Sequence, residues 1–404
     1  MTMNSWEHKQ WPNYQFDRDS IKPLIDEYHA KKADLDNALL EANAKDKAEI
    51  SIDGKINNAT YNAVIDDYGV SECKLEAAFI MNTGVNNTGL DLEPLSKKEE
   101  GIAFVELQST ENVSDTLSVD LLNTMNKRLL RFTEDQLYGT KEIGHFRVTT
   151  KATYAGMVNG QREYFVAPDP KNVPHEMNRF IEWFNDSKDN ENISSIERAG
   201  LAHLWFETIH PYTEGNGIIG RSISQMAISQ REGNESAISL SPAIHEDRIA
   251  YFQQLYKGSK TIEATEWMGW FAKTAIRGAE ISLDRTNHII GKNRFWEQNA
   301  DKDLNPRQAK AIEYLLYIDN DVQEMTAKTY MSINDCSKAT ATRDLTELDQ
   351  IDCMTQHGKG RSVHYEINIP KPVQENAVNL SNLDLKNATT RDANQQTNTQ
   401  TRTR

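Results

Sequence analysis

The chain is expected to be mainly α-helical, a helical bundle interrupted by one β-hairpin and followed by a smaller unit of helices and two strands. Apolar residues recur at three- and four-residue steps over much of the stretch from Asp19 to Ala279, the mark of amphipathic helices. Between His145 and Ala167 the texture changes to Val, Thr, Tyr and Phe around an Asn159-Gly160 pair, the strongest short-range hairpin signal. A fresh helical pattern then begins near Asn305-Pro306.

The 404 residues exceed one typical core, since domains run about 100 to 200 residues, so two or three units are expected. The 60 acidic and 45 basic residues give a net charge of -15, which disfavours nonspecific attraction to nucleic acid or anionic membrane. Any DNA contact must then be local. Cys73, Cys336 and Cys353 show no CxxC spacing, so neither a disulfide framework nor a zinc-ligand pattern is suggested, as befits a reducing cytosol. The first residues lack the basic-then-apolar order of a secretory signal, and no apolar run approaches the roughly 20 residues that span a bilayer. The protein is expected to be soluble and cytoplasmic, without a membrane partner.

From Asp19 to about Lys47 the residues Ile21, Leu24, Ile25, Tyr28, Leu35, Leu39 and Leu40 predict a helix, and Asn58 to Met81 predicts another. The run from Asn82 to Gly89 is built of turn formers and reads as a loop. Leu121, Leu122, Met125, Leu129 and Leu130 form a stripe that predicts a helix between Ser118 and Phe132. Past the hairpin, helices are expected at Pro174 to Asn185, Ser195 to Ile209, Ile218 to Gln230, Glu246 to Lys257 and Thr265 to Ala279. Trp183, Phe184, Trp205, Phe206, Trp267 and Trp270 read as packing residues rather than cofactor contacts. In the last unit, a helix through Ala311, Leu315 and Leu316 precedes a turn at Asn334-Asp335 and a helix from Lys338 to Leu348 capped by Ser337. Cys353 to Gln356 and Val363 to Ile369 read as strands around Gly358 to Arg361, and the Asn-, Thr- and Gln-rich stretch after Pro370 reads as a disordered tail.

The segment that carries the chemistry is His210-Pro211-Tyr212-Thr213-Glu214-Gly215-Asn216-Gly217-Ile218-Ile219-Gly220-Arg221, between two predicted helices. Gly215 and Gly217 let backbone approach an anion, and the helix that follows points unpaired N–H groups and a positive dipole end into the same space. Asn216 adds an amide, Glu214 the hard oxygen that Mg²⁺ prefers, and Arg221 a fork of donors for a terminal phosphate. His210 stands where it can take a proton from an attacking hydroxyl. Singly, each residue also fits a plain structural role, His210 as a helix cap and Gly-Asn-Gly as a turn between helices.

Together they closely resemble the Fic motif, His-Pro-Phe-x-Asp/Glu-Gly-Asn-Gly-Arg-x-x-Arg, with Tyr212 in place of Phe and Ile218 in place of the first Arg. Gly144-His145-Phe146-Arg147 resembles the family's Gly-x-aromatic-Arg segment, and Leu204 to Ile209 its helix leading to the histidine. Trp6 to Pro12 is similar to an accessory domain that precedes many Fic domains, and the C-terminal unit to the winged helix that often follows. The resemblance implies an accessory domain at 1–90, a Fic helical bundle with a β-hairpin flap at 91–285, a winged helix-turn-helix domain at 300–370 and a tail at 371–404. It also implies transfer of AMP from ATP to a Ser, Thr or Tyr hydroxyl of a protein. His210 would be the base, Glu214 would hold Mg²⁺, Gly215, Asn216 and Gly217 would hold the α- and β-phosphates, and Arg221 would grip the outer ones. The hairpin from Tyr154 to Tyr164 would register a target segment as an added strand.

Ile218 cannot donate a hydrogen bond, and a lost charge-assisted contact costs roughly 1.5 to 3 kcal/mol, so slowed transfer is expected and Ile218→Arg is expected to raise nucleotide affinity or rate. Alternatively Ile218 simply packs beside Ile219, Ile223 and Met226. Many relatives hold the second motif arginine with an inhibitory glutamate; the best counterpart segment here, Asn82 to Asn87, puts Asn86 at that place and leaves no carboxylate for Arg221. Lys338, Thr340, Thr342 and Arg343 with Lys359 and Arg361 would suit either DNA or a docked protein, which leaves a DNA-binding regulator as the alternative function. The expected partners are thus a protein bearing the target hydroxyl, with DNA and a second copy of the chain as further candidates.

Overall fold

The computed structural model describes residues 3–82, 96–111, 114–133, 142–158, 161–232, 237–317 and 324–370, with backbone alone at 152, 154–158, 161 and 162. The chain divides into two compact units, Met1–Ile290 and Gly291–Arg404.

In the first unit the helices are α1 (Arg18–Glu41), α2 (Ala44–Ile65), α3 (Glu72–Asn82), α4 (Lys97–Thr110) and α5 (Val119–Leu130). The antiparallel hairpin β1 (Ala152–Val158) and β2 (Gln161–Val166) follows, then α6 (Val173–Asp186), α7 (Ser195–Ile209), α8 (Asn216–Glu232), α9 (Leu240–Glu246), α10 (Arg248–Gly258) and the part up to Ile290 of α11 (Thr265–Gln298), whose last residues belong to the second unit. Short polar caps set the starts. Asp17 accepts from Asp19 and Ser20 at α1, Ser118 from Leu121 at α5, and Ser194 with Glu197 forms a reciprocal capping box at α7.

The centre of this unit is the α7/α8 pair. Every residue of α7 but Leu201 is buried, and α8 is buried from Ile218 to Gln230, the condition of helices surrounded by others. They approach closely because Gly220 has no side chain, since a Cβ there would stand 3.1 Å from His203 Nδ1 and 3.2 Å from Glu207 Oε1. Ile196, Leu204, Phe206, Ile209, Ile218, Ile219 and Ile223 join one core with residues of α1 to α6 and with Trp267, Met268 and Phe271 of α11.

The predicted helix from Asp19 to Lys47 is in fact two, because Asn43 leaves the helical path and its side chain caps α2 by accepting from Asp46. Likewise Asn58 to Met81 is broken between Ile65 and Glu72. α9 and α4 were not expected. α4 carries no stripe to read, being buried on most sides from Gly101 to Thr110 with Glu106 satisfied by Asn58 Nδ2 at 2.9 Å. The hairpin strands fall where the texture placed them, while the Asn159-Gly160 turn, the segment from Thr83 to Gly89 and the tail from 371 lie outside the described residues.

The second unit comprises α12 (Pro306–Tyr317), β3 (Glu324–Met325), α13 (Ala327–Asn334), α14 (Lys338–Gln350), β4 (Met354–His357) and β5 (His364–Ile367). The sheet order is β3-β5-β4, antiparallel throughout. Ser337 caps α14 by accepting from Thr340. Leu315, Tyr330, Leu345, Leu348 and Tyr365 share the core, where the buried Asp344 is held by Arg307 at 2.7 Å and Tyr330 at 3.0 Å. The edge strand β3 was not anticipated.

Candidate active site

α7 ends at His210, which adopts a left-handed conformation (φ 50°, ψ 63°) and donates its N–H to Phe206 O at 2.9 Å. A left-handed residue turns the chain sharply at a helix end, here carrying it directly into the loop that starts α8. Arg147 fixes that turn. Its buried guanidinium donates to His210 O at 2.8 Å, Thr149 O at 2.8 Å, Pro168 O at 2.6 Å and Ile209 O at 3.4 Å, and its N–H donates to Pro211 O at 2.9 Å. Burial holds the Arg147 pKa below the usual guanidinium range.

The loop is closed by Asn216, whose side chain accepts from Tyr212 N–H at 2.9 Å and donates to Tyr212 O at 2.7 Å. Both ends of the amide are engaged in shaping the turn, so Asn216 acts on its own backbone, which corrects the expectation of an amide directed at an anion. Tyr212 is fully buried, with its hydroxyl on Asn123 at 3.0 Å, and Asn126 donates to Glu214 O at 2.9 Å. Gly215 takes φ +83°, where a Cβ would also meet Leu129 at 2.9 Å.

An open cleft of about 580 Å³ lies over this loop, lined by His210, Glu207, Thr213 to Gly217, Asp66, Tyr68, Lys151 and Tyr251 among others. Glu214 is exposed in it. His210 Nδ1 is buried and stands 3.4 Å from Glu207 Oε2, which leaves Nε2 as the ring nitrogen for a substrate. Burial pushes the Glu207 carboxyl up, but the His210 contact together with the His203 and Arg221 charges outweighs it and holds the group below its usual range. Tyr68 is pushed up to about 12 by burial and by the charges of Glu214 and Asp66.

Arg221 departs most from expectation. Its side chain is 1% exposed and ion-paired with Asp66 at 2.9 Å, and it also donates to Asn62 Oδ1 at 2.6 Å, Asn62 O at 2.9 Å and the Tyr251 hydroxyl at 3.1 Å. Burial works to lower its pKa, yet the Asp66 charge and the bonds to Asp66 and Tyr251 raise it overall. A carboxylate is therefore available to Arg221, and the expectation that none existed is corrected. It comes from the end of α2, not from the Asn82 to Asn87 segment, which lies outside the described residues from Thr83 onward. Asn62 and Asp66, one turn apart, were missed because nothing but that i, i+4 spacing marks them.

Ile218 is fully buried in the main core, while its carbonyl accepts from Asn62 Nδ2 at 3.2 Å. It packs, as the alternative held, and the expectation that an arginine here would face phosphates is corrected. The structure thus brings His210, Glu214, Gly215, Asn216 and Gly217 to the lining of one cleft, Asn216 nearly buried in it, and leaves Arg221 buried outside that lining.

Residues 116–227 match the model of the Fic/DOC family. The chain is 26% identical over 219 residues to a protein adenylyltransferase of Caenorhabditis elegans, covering 53% of this chain and 38% of that protein. It is 37% identical over 90 residues to the protein adenylyltransferase Fic of Nematostella vectensis, covering 22% and 20%. The chain thus spans well under half the length of these curated relatives. A crystal structure of a Fic family protein from Desulfovibrio desulfuricans superposes with a TM-score of 0.50 at 15% identity, over 89% of this chain and 99% of that one, a likeness of fold. The likeness to the Fic/DOC family is thus that of a domain at residues 116–227, the segment that carries the His210 to Arg221 loop.

Proposed function

We propose that the chain transfers AMP from ATP to a Ser, Thr or Tyr hydroxyl of a protein. The observation that carries the reading is the convergence in one cleft of His210, anchored by Glu207 through Nδ1, the Gly215 to Gly217 turn opening α8, and the exposed Glu214. The acceptor oxygen would attack the α-phosphorus while its proton passes to His210 Nε2, and the bond to the bridging oxygen breaks as diphosphate leaves. The backbone N–H groups opening α8 would receive phosphate oxygens. Glu214 suits Mg²⁺, being a solvent-facing carboxylate beside the phosphate position, and the ion would supply charge neutralisation there. The curated relatives' names support the reaction class.

Asn216 would serve by holding the loop in shape. Arg221 would exchange Asp66 for the outer phosphates. The β1/β2 hairpin would pair with the target segment. We read 1–90 as the accessory domain, 91–285 as the Fic domain and 300–370 as a winged helix, the last supported by its helix and strand order. The DNA-regulator reading gains nothing from α14, because Arg343 lies 3.5 Å from Asp344 and 3.9 Å from Glu347.

Labelled ATP incubated with the purified chain, lysate and Mg²⁺ or Mn²⁺ tests the proposal. Label should appear on protein and vanish with His210→Ala. Transfer no greater than that of the variant would remove the enzyme reading.

A further inference from the structure

In the second unit, the sheet face formed by β3, β5 and β4 gathers four side chains that the proposed reaction does not use. Glu324 pairs directly across from Glu366, and His357 directly across from His364. Directly paired residues, and residues two apart on one strand, share a face, so all four project to the same side. His364 Nε2 lies 3.7 Å from Glu324 Oε1 and 3.9 Å from Glu366 Oε1, while His357 Nε2 lies 3.4 Å from Glu366 Oε2. One ligand atom from each of Glu324, His364 and Glu366 lies within 4.8 Å of the others, and the His357 ring stacks on His364 at 5.6 Å.

Two features make this more than a group of polar residues. His364 Nδ1 is 3.0 Å from Ser362 O, and a carbonyl only accepts, so Nδ1 carries the proton. Nε2 is then the ring nitrogen turned toward two carboxylates, at 3.7 Å from Glu324 Oε1 and 3.9 Å from Glu366 Oε1, a convergence whose negative charge a cation would offset. A histidine whose far nitrogen is tied to a backbone carbonyl while the near one faces carboxylates is the arrangement of a metal-ligating imidazole. Secondly, Glu324 and Glu366 are like charges directly opposite on neighbouring strands, a destabilising pair without a counterion. The observed separations approach the roughly 3.4 Å between ligand atoms of a tetrahedral site with bonds of about 2.0 to 2.1 Å.

We propose that this sheet face binds one divalent transition-metal ion, with zinc as the best fit, through His364, Glu366 and Glu324, with His357 as the fourth ligand. Mixed imidazole and carboxylate ligands favour zinc and its neighbours over magnesium or calcium, which prefer all-oxygen sites. The site is independent of the cleft at His210, so the adenylyl-transfer reading stands or falls separately.

The test is equilibrium dialysis of the untagged full chain, stripped with EDTA, against zinc chloride in the presence of excess Mg²⁺. One equivalent should bind to the wild-type chain and equally to His210→Ala combined with Glu214→Gln, which excludes the cleft. His364→Ala and Glu366→Gln should each lose that equivalent. Glu324→Gln, at an exposed edge position, decides the matter if either of those variants fails to fold, and it should weaken binding at least about tenfold. No bound zinc in the wild type, or zinc retained undiminished by the folded variants, overturns the proposal.

Discussion

The Asp66 carboxylate lies 2.9 Å from the Arg221 guanidinium and so close over the first turn of α8 that a Cβ on Gly217 would stand 2.5 Å from Asp66 Oδ2. The position that suits a phosphate at the amino end of α8 thus already faces a negative charge from α2. Asp66→Ala should tighten ATP binding and speed label transfer, read by nucleotide titration and the transfer assay. It should also destabilise the fold by about 3 kcal/mol, because a buried arginine loses the carboxylate it is ion-paired with while keeping Asn62 and Tyr251. A variant that binds ATP no better would mean that the pair is purely structural.

Arg147→Met removes a buried cation that serves four carbonyls around the His210 turn. Leaving such groups unpaired costs about 1 to 3 kcal/mol each, so denaturant unfolding should show a loss above about 3 kcal/mol. Transfer should fall with it even where the variant remains folded, since nothing else described holds His210 O.

Ile218→Arg is expected to lower the thermal midpoint and leave ATP affinity unimproved. The Ile218 side chain is fully buried among apolar residues, and a guanidinium placed there loses its hydration without an acid to meet it. Higher affinity in a folded variant would show that α8 can rotate to present this position to the cleft.

How legible the molecule is in its sequence depends on how far apart in the chain the cooperating residues lie. The loop from His210 to Gly217 could be read because its parts are consecutive and their spacing is itself the geometry. The Arg147 staple reaches His210 from 63 residues away and the Asp66 clamp reaches Arg221 from 155, so no local pattern announces their contacts. The stripe of α5 was visible because one face meets solvent, whereas α4 is buried nearly all round and offers no periodicity. Ile218 was misplaced because a motif position predicts a side-chain direction only while the rest of the helix keeps its rotation, and here the core claims that face.

His203 is fully buried, stacked between Tyr251 and Trp267, with its Nε2 on the Tyr251 hydroxyl at 3.0 Å. Burial lowers its pKa from 6.5 to about 4, against the raising charge of Glu207. A depressed folded value means that the unfolded chain takes up the proton first. The stability from the neutral ring is whole above pH 6.5 and drains away as pH falls toward about 4. The loss should be on the order of 3 kcal/mol over that window, and His203→Gln should be flatter there in denaturant titrations. Parallel curves for the two proteins would assign acid lability to other groups.

The left-handed backbone of His210 makes the residue at the mouth of the cleft one that the helix end would rather have as glycine. A non-glycine residue in that conformation costs roughly 1 to 2 kcal/mol, so His210→Gly should refold into a sturdier protein that transfers nothing. Selection for durability alone would erase this imidazole first. A library sorted only for heat resistance should accumulate glycine at position 210, and one sorted for labelling should never lose the histidine.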